Sequence, residues 1–304
     1  MYSFSTCWNS HRHTDGRAML REIRSLGFEW AELSHGIRIS LLPGIIEAVD
    51  AGEIKISSLH NFCPLPMGVH HAAPNLYLFS SQDPRERESA FKHSVKTIET
   101  AARLKAPVVV LHLGCIDMKE STGKLLEMVK NGKRETEKYS NLRDGVMQKR
   151  EKKKERYFQC ATEMLDRLAT VAGERGVKLG VENRRAVEEL PLDSDIDMLM
   201  REFDRRGVGY WHDCGHAQIK ENLGFIDHRT HLENLAPWLL GFHVHDVAFP
   251  GEDHCAPGTG TVDFAALKPY VKPDHIKVFE LSPKVPAEAV RRGVDYLKSV
   301  WGAE

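Results

Sequence analysis

Short apolar runs alternate along the chain with stretches whose apolar residues recur at helical spacing. The runs predict strands at Tyr2–Trp8, Trp30–Ser34, Lys55–Phe62, Pro107–Leu113, Val177–Asn183, Val208–Trp211, Leu240–Val247 and Ile276–Ser282. The helical stretches are Gly16–Leu26, Leu42–Ala51, Arg85–Leu104, Asp195–Arg206, Leu232–Leu239, Phe264–Tyr270 and Ala287–Val300. Thr14 or Asp15 and the pair Asp83-Pro84 suit helix starts, and Gly27 and Gly52 suit helix ends.

Strands alternating with helices imply a parallel sheet. Eight such units without a break in composition predict an α/β chain folded as a single-domain (β/α)8 TIM barrel over residues 1–304. An open doubly wound sheet is the alternative, but its G-x-G-x-x-G turn after the first strand is missing. One connection, between the fourth and fifth strands, is far longer than the others. Helical spacing at Lys119–Val129 and Tyr157–Ala172 predicts a helical insertion there, over residues 116–176. Its segment 148–156, Q-K-R-E-K-K-K-E-R, carries six basic and two acidic side chains. A solvated helix face accounts for such a run; a lid, a subunit contact or a polyanion contact is the alternative.

Composition narrows the class. Hydrophobic content of 41% and charged content of 28% are those of a soluble globular protein. A net charge of -1 gives no global attraction to nucleic acid or membrane, though a local basic patch stays open. No apolar run is long enough to span a bilayer. The N-terminus lacks the basic-then-apolar pattern of a signal peptide. Six cysteines without a C-x-x-C pair fit free thiols in a cytoplasmic protein. The sequence leaves homo-oligomerisation open.

The chemistry sits at the strand ends. The third to eighth strands end at His60, His112, Glu182, Asp213, His243 (with His245 and Asp246) and Glu280. In V-G-Y-W-H-D-C-G-H, residues 208–216, an apolar strand breaks at Gly215, with Asp213 and His216 three residues apart. Buried parallel strands seldom carry Asp, Glu or His. One such residue means little, but six at one level of a barrel predict a divalent-metal centre, for Mn, Zn, Co or Mg.

These motifs carry a resemblance. V-V-L-H-L-G, G-V-E-N, H-D-C-G-H, F-H-V-H-D, D-H-C-A-P-G-T-G-T-V-D-F and V-F-E-L-S resemble the xylose isomerase-like barrel superfamily along nearly the whole chain. That superfamily unites sugar isomerases and epimerases with endonuclease IV. In the epimerase branch the resemblance implies four metal ligands, here Glu182, Asp213, His243 and Glu280. Glu182 and Glu280 are then also the acid/base pair, and His216 contacts substrate. The endonuclease branch has a three-zinc site, whose added ligands correspond here to His60, His112, His216, Glu252 and His254. It has Asp where this chain has Glu252, with Asp253 beside it.

Two functions follow as expectations: a metal-dependent isomerase or epimerase of a small carbohydrate, or a phosphodiesterase acting on abasic DNA. The second needs a basic groove, against which the net charge argues. A barrel that binds a metabolite without catalysis is a third class, disfavoured by the intact ligand set. His60, His112 and Arg184 are further substrate candidates, since an arginine after Glu182 can hold a carboxylate or phosphate on two prongs. Glu32 ends the second strand and resembles a glutamate of the epimerase branch. Trp8, Phe62, Trp211 and Phe249 are expected in the core, or as a wall of a sugar pocket.

Overall fold

The computed structural model describes residues 1–303. Eight parallel strands close into a barrel: β1 (Tyr2–Ser5), β2 (Trp30–Leu33), β3 (Lys55–His60), β4 (Val108–Leu111), β5 (Lys178–Glu182), β6 (Val208–Asp213), β7 (Leu239–Val244) and β10 (Ile276–Phe279). They lie in chain order, with β10 pairing back onto β1. Two short strands, β8 (Asp246–Ala248) and β9 (Glu252–Cys255), form an antiparallel hairpin outside the barrel. The helices are α1 (Gly16–Ser25), α2 (Leu42–Asp50), α3 (Pro84–Arg103), α4 (Thr122–Lys130), α5 (Glu137–Glu174), α6 (Asp193–Glu202), α7 (Cys214–Asn222), α8 (His228–Leu235), α9 (Phe264–Leu267) and α10 (Ala287–Trp301).

Local signals start the elements where expected. Asp15 caps α1 by accepting from the Ala18 amide at 2.6 Å, and Asp83 caps α3 just before Pro84. Most of the apolar core lies between the strands and the helices. A smaller cluster, Val108, Val110, Trp211, Ile276 and Val278, fills the barrel itself. Trp211 is fully buried there and is core, not pocket wall. It fits because a Cβ on Gly241 would sit 2.7 Å from its ring. Trp8 and Phe62 are buried as well, while Phe249 is exposed.

The insertion after β4 consists of α4 and the 38-residue α5, which is about 57 Å long at 1.5 Å per residue. The basic run lies within α5, and it is not simply solvated. Arg150 is fully buried and donates to the Val187 carbonyl at 2.9 Å and to Asp195 Oδ2 at 3.0 Å. Lys154 joins it on Asp195 Oδ1 at 2.9 Å. The insertion therefore fastens the loop that follows β5. All six cysteines are free thiols. Among the described residues no helix is long and apolar enough to cross a membrane.

The strand β6 runs on to Asp213, and the break expected at Gly215 falls earlier, because α7 begins at Cys214. Asp213 is its N-cap, with Oδ1 accepting from the His216 amide at 2.7 Å. Gly215 lies inside this helix for want of space, since a Cβ there would stand 2.0 Å from His245 Cε1.

Candidate metal centre

All barrel strands run the same way, so their C-terminal ends form one mouth. Glu182 closes β5, Asp213 closes β6, His243 precedes the last residue of β7, and Glu280 follows β10. Asp213 and His243 are register partners on neighbouring strands. Each of the four is buried, and each offers a ligand atom within 4.8 Å of the others. His243 Nδ1 stands 2.7 Å from Glu182 Oε1, 3.4 Å from Glu280 Oε2 and 3.8 Å from Asp213 Oδ2.

Three carboxylates crowded this closely in a buried site repel one another, and a cation or a shared proton relieves the repulsion. Burial favours a neutral His243, but Glu280, Glu32 and Glu182 outweigh it and push its pKa well up. A proton on Nδ1 thus meets part of a demand that a divalent ion meets better. Behind the ring, Nε2 donates to Glu32 Oε2 at 3.1 Å, and Glu32 also accepts from Ser5 and Ser58. A histidine anchored on one nitrogen by a carboxylate, with the other turned towards acidic oxygens, is built as a metal ligand is. The donor set of one imidazole and three carboxylates fits Mn, Zn, Co or Mg alike.

Burial opposes ionisation of Asp213, yet His216 and His245 hold its carboxyl well below the usual range. His245 Nδ1 accepts from the His254 amide at 2.9 Å, so Nε2 carries the hydrogen and reaches Asp213 Oδ1 at 3.1 Å. His245, His254 and Glu280 form another close group, but both His245 ring nitrogens are already used. His216 Nδ1 donates to the Asn183 carbonyl at 3.0 Å and lies 3.4 Å from Asp213 Oδ2.

The remaining candidates divide. His60 is buried against the centre, with Nε2 3.6 Å from Glu182 Oε2. His112 also faces Glu182, with Nε2 2.7 Å from the same oxygen, but that nitrogen accepts from Arg184 Nη1 at 2.6 Å and Nδ1 bonds Asn75 Oδ1 at 3.1 Å. Both ring nitrogens thus have partners within the protein. Burial first and the Arg184 charge next push His112 down to about 3.

Arg184, expected to hold an anion, is likewise engaged within the protein. It is neither a surface residue nor a free fork. Nη1 donates to Glu182 Oε2 at 2.6 Å, while Nε and Nη2 donate to Glu189 Oε1 at 3.2 and 3.0 Å. Glu252 is exposed on β9, and none of the close ligand groups among the described residues includes it. It lines the same cavity as His254 and Glu280. His254 stays at the cavity wall, with Nδ1 donating to the Glu280 carbonyl at 2.9 Å.

Above the centre lies a cavity of ≈ 650 Å³, lined in part by Cys7, His35, Asp253, His254, Glu280 and Lys284. This is the size of a small-molecule site. A smaller hollow of ≈ 230 Å³ adjoins it at His35, with His11, Arg38, His70 and His71 around it. Sequence reasoning passed over His35, whose Nδ1 is buried without a hydrogen-bond partner. Its signal was position: it follows β2 at the same mouth.

Residues 20–300 match the xylose isomerase-like TIM barrel family, and the chain belongs to that family. No curated protein matches the sequence significantly. Among solved structures, a D-tagatose 3-epimerase-like protein is 17% identical, over 98% of this chain and 96% of its own, with a TM-score of 0.70. The 3-keto-D-glucoside 4-epimerase of E. coli is 14% identical over 98% of both chains, with a TM-score of 0.68. The IolI protein with a bound zinc atom is 15% identical over 99% of both chains, also with a TM-score of 0.68.

Proposed function

We propose that this protein is a divalent-metal-dependent isomerase or epimerase of a small sugar, sugar phosphate or related polyol. One observation carries the reading. Glu182 and Glu280 stand with Asp213 and His243 within 4.8 Å, and Glu280 also lines a cavity of ≈ 650 Å³. Two of the structural neighbours are named as sugar epimerases or their like, and a third holds zinc, which supports the same reading.

A metal held by Glu182, Asp213, His243 and Glu280 supplies Lewis-acid polarisation of a carbonyl. The protein's own residues do the rest. Glu280 lines the cavity and is placed to remove the proton from the carbon beside that carbonyl. Glu182 lies across the centre and returns a proton from the opposite face. Burial disfavours its charge, but Arg184, His112 and His243 hold its carboxyl well below the usual range. Ionised at rest, it would take from solvent the proton that it returns, and Glu280 would pass to solvent the one it removes. Asp213 and His243 complete the ligand set. His60 and His216 border the centre and orient hydroxyl groups, with His35 at the wall.

The test is isotope exchange. The protein loaded with Mn, Zn, Co or Mg is incubated in D2O with a panel of ketoses, aldoses and their phosphates, followed by NMR. Deuterium entering at the carbon beside the carbonyl is expected. If no sugar exchanges while an abasic oligonucleotide is cut in a metal-dependent way, the reading is wrong and the phosphodiesterase is right.

A further inference from the structure

We propose that the Arg184 guanidinium occupies a built-in second cation position beside the metal centre and so fixes the centre at one metal ion. The inference rests on the metal site proposed above but on no particular reaction.

The argument starts from two imidazoles. His60 Nδ1 bonds the Asn61 carbonyl at 3.1 Å, and a carbonyl only accepts, so this nitrogen carries the hydrogen. A neutral His60 therefore turns the lone pair of Nε2 inwards. For His112 the assignment comes from the other side. A guanidinium only donates, so Nε2, 2.6 Å from Arg184 Nη1, must accept. Both Nε2 atoms face the same oxygen, Glu182 Oε2, at 3.6 Å from His60 and 2.7 Å from His112.

Two lone-pair atoms 2.7 Å apart repel unless positive charge lies against both. Arg184 Nη1 stands 2.6 Å from each, closing a nearly equilateral triangle. Two imidazole nitrogens turned towards one carboxylate oxygen are donors of the kind that zinc takes. Here Arg184 Nη1 lies against two of the three, His112 Nε2 and Glu182 Oε2.

The guanidinium is held in place from behind. Nε and Nη2 donate to Glu189 Oε1, and Glu189 Oε2 accepts from the Ala186 amide at 2.9 Å. Arg150 grips the same loop through the Val187 carbonyl. Arg184 itself is only 7% exposed. Glu182 is thereby divided: Oε2 belongs to Arg184, and Oε1 alone faces the four-residue centre. Oε1 alone would be left to hold a metal, with Oε2 kept by Arg184.

The experiment counts metals. The full chain is saturated with Zn²⁺ or Mn²⁺, freed of loose ion, and measured by elemental analysis and native mass spectrometry. One ion per chain is expected for the wild type and two for Arg184→Met. The double variant Arg184→Met/His112→Ala should return to one. Should Arg184→Met fail to fold, Arg184→Met/Glu189→Gln removes the stranded carboxylate charge, keeps the three donors, and should bind two. Two ions on the wild type overturn the proposal. So does a single ion on the folded Arg184 variants, or a second ion that survives loss of His112. A one-metal protein that exchanges no sugar proton would sink the isomerase reading and leave this one standing.

Discussion

Replacing Glu32 by Gln should weaken metal binding without disturbing the fold. Glu32 is fully buried and serves three donors. Ser5 Oγ reaches Oε1 at 3.0 Å, while Ser58 Oγ at 2.8 Å and His243 Nε2 at 3.1 Å share Oε2. Glutamine keeps the shape and one oxygen. If its amide nitrogen took the Oε2 position, it would oppose the His243 N–H, donor against donor. The other orientation is therefore favoured, because the Ser5 hydroxyl can turn round and accept. The His243 ring then keeps its direction but loses the negative charge behind it. Loss of such an outer carboxylate lowers metal affinity about 10–100-fold. That is about 1.4–2.7 kcal/mol. Competition for Zn²⁺ against a chromophoric chelator at pH 7.5 measures the change, and thermal unfolding of the metal-free protein checks the fold. An affinity within about twofold of wild type, well short of the range for outer-shell partners, in a folded variant would refute the role given to Glu32.

Two further predictions concern catalysis and acid stability. Glu280→Gln keeps an oxygen for metal but removes the base, so turnover should fall about 10²–10⁴-fold with metal retained; Asp213→Ala should lose both together, as elemental analysis beside the exchange assay will show. Burial is the main force that pushes His228 down to about 3 and His231 to about 4, so both are neutral in the native protein. The unfolded chain takes up a proton at each below about pH 6.5 and the native protein does not. Their contribution is therefore complete above that pH and is lost as pH falls towards 4, at about 1.4 kcal/mol per pH unit for each. Urea midpoints of the metal-free protein at pH 7, 6 and 5 give the slope, and a flat profile would contradict it.

Much of the site was legible because parallel strands place successive ends at one level. Glu182, Asp213, His243 and Glu280 each followed an apolar run, and the barrel brings them together. The prediction weakened where partners came from loops. Nothing around Arg184 in the sequence announces that Glu189 will take two of its donors, or that His112, 72 residues earlier, will take a third. Arg150 looked like one more charge on a helix face. Its burial depends on carbonyls of a loop whose path no periodicity encodes. The helix after Asp213 was missed because Gly215 reads as a breaker, whereas here it answers the close approach of His245. His245 itself was noticed only as a neighbour of His243, and its hold on Asp213 needed the three-dimensional ring orientation.

The hairpin of β8 and β9 is tied down in an economical way. Asp246 accepts from the amides of Val247 at 2.8 Å, Gly258 at 2.9 Å, Gly260 at 2.8 Å and Val262 at 3.0 Å. One carboxylate thus gathers both ends of the segment, and the β8–β9 pairing aligns what lies between. The tip from Phe249 to Asp253 overhangs the mouth without helping to form the barrel. Because the Asp246 knot closes below the tip, a change confined to residues 249–253 would reshape the rim of the cavity while leaving Glu182, Asp213, His243 and Glu280 where they are.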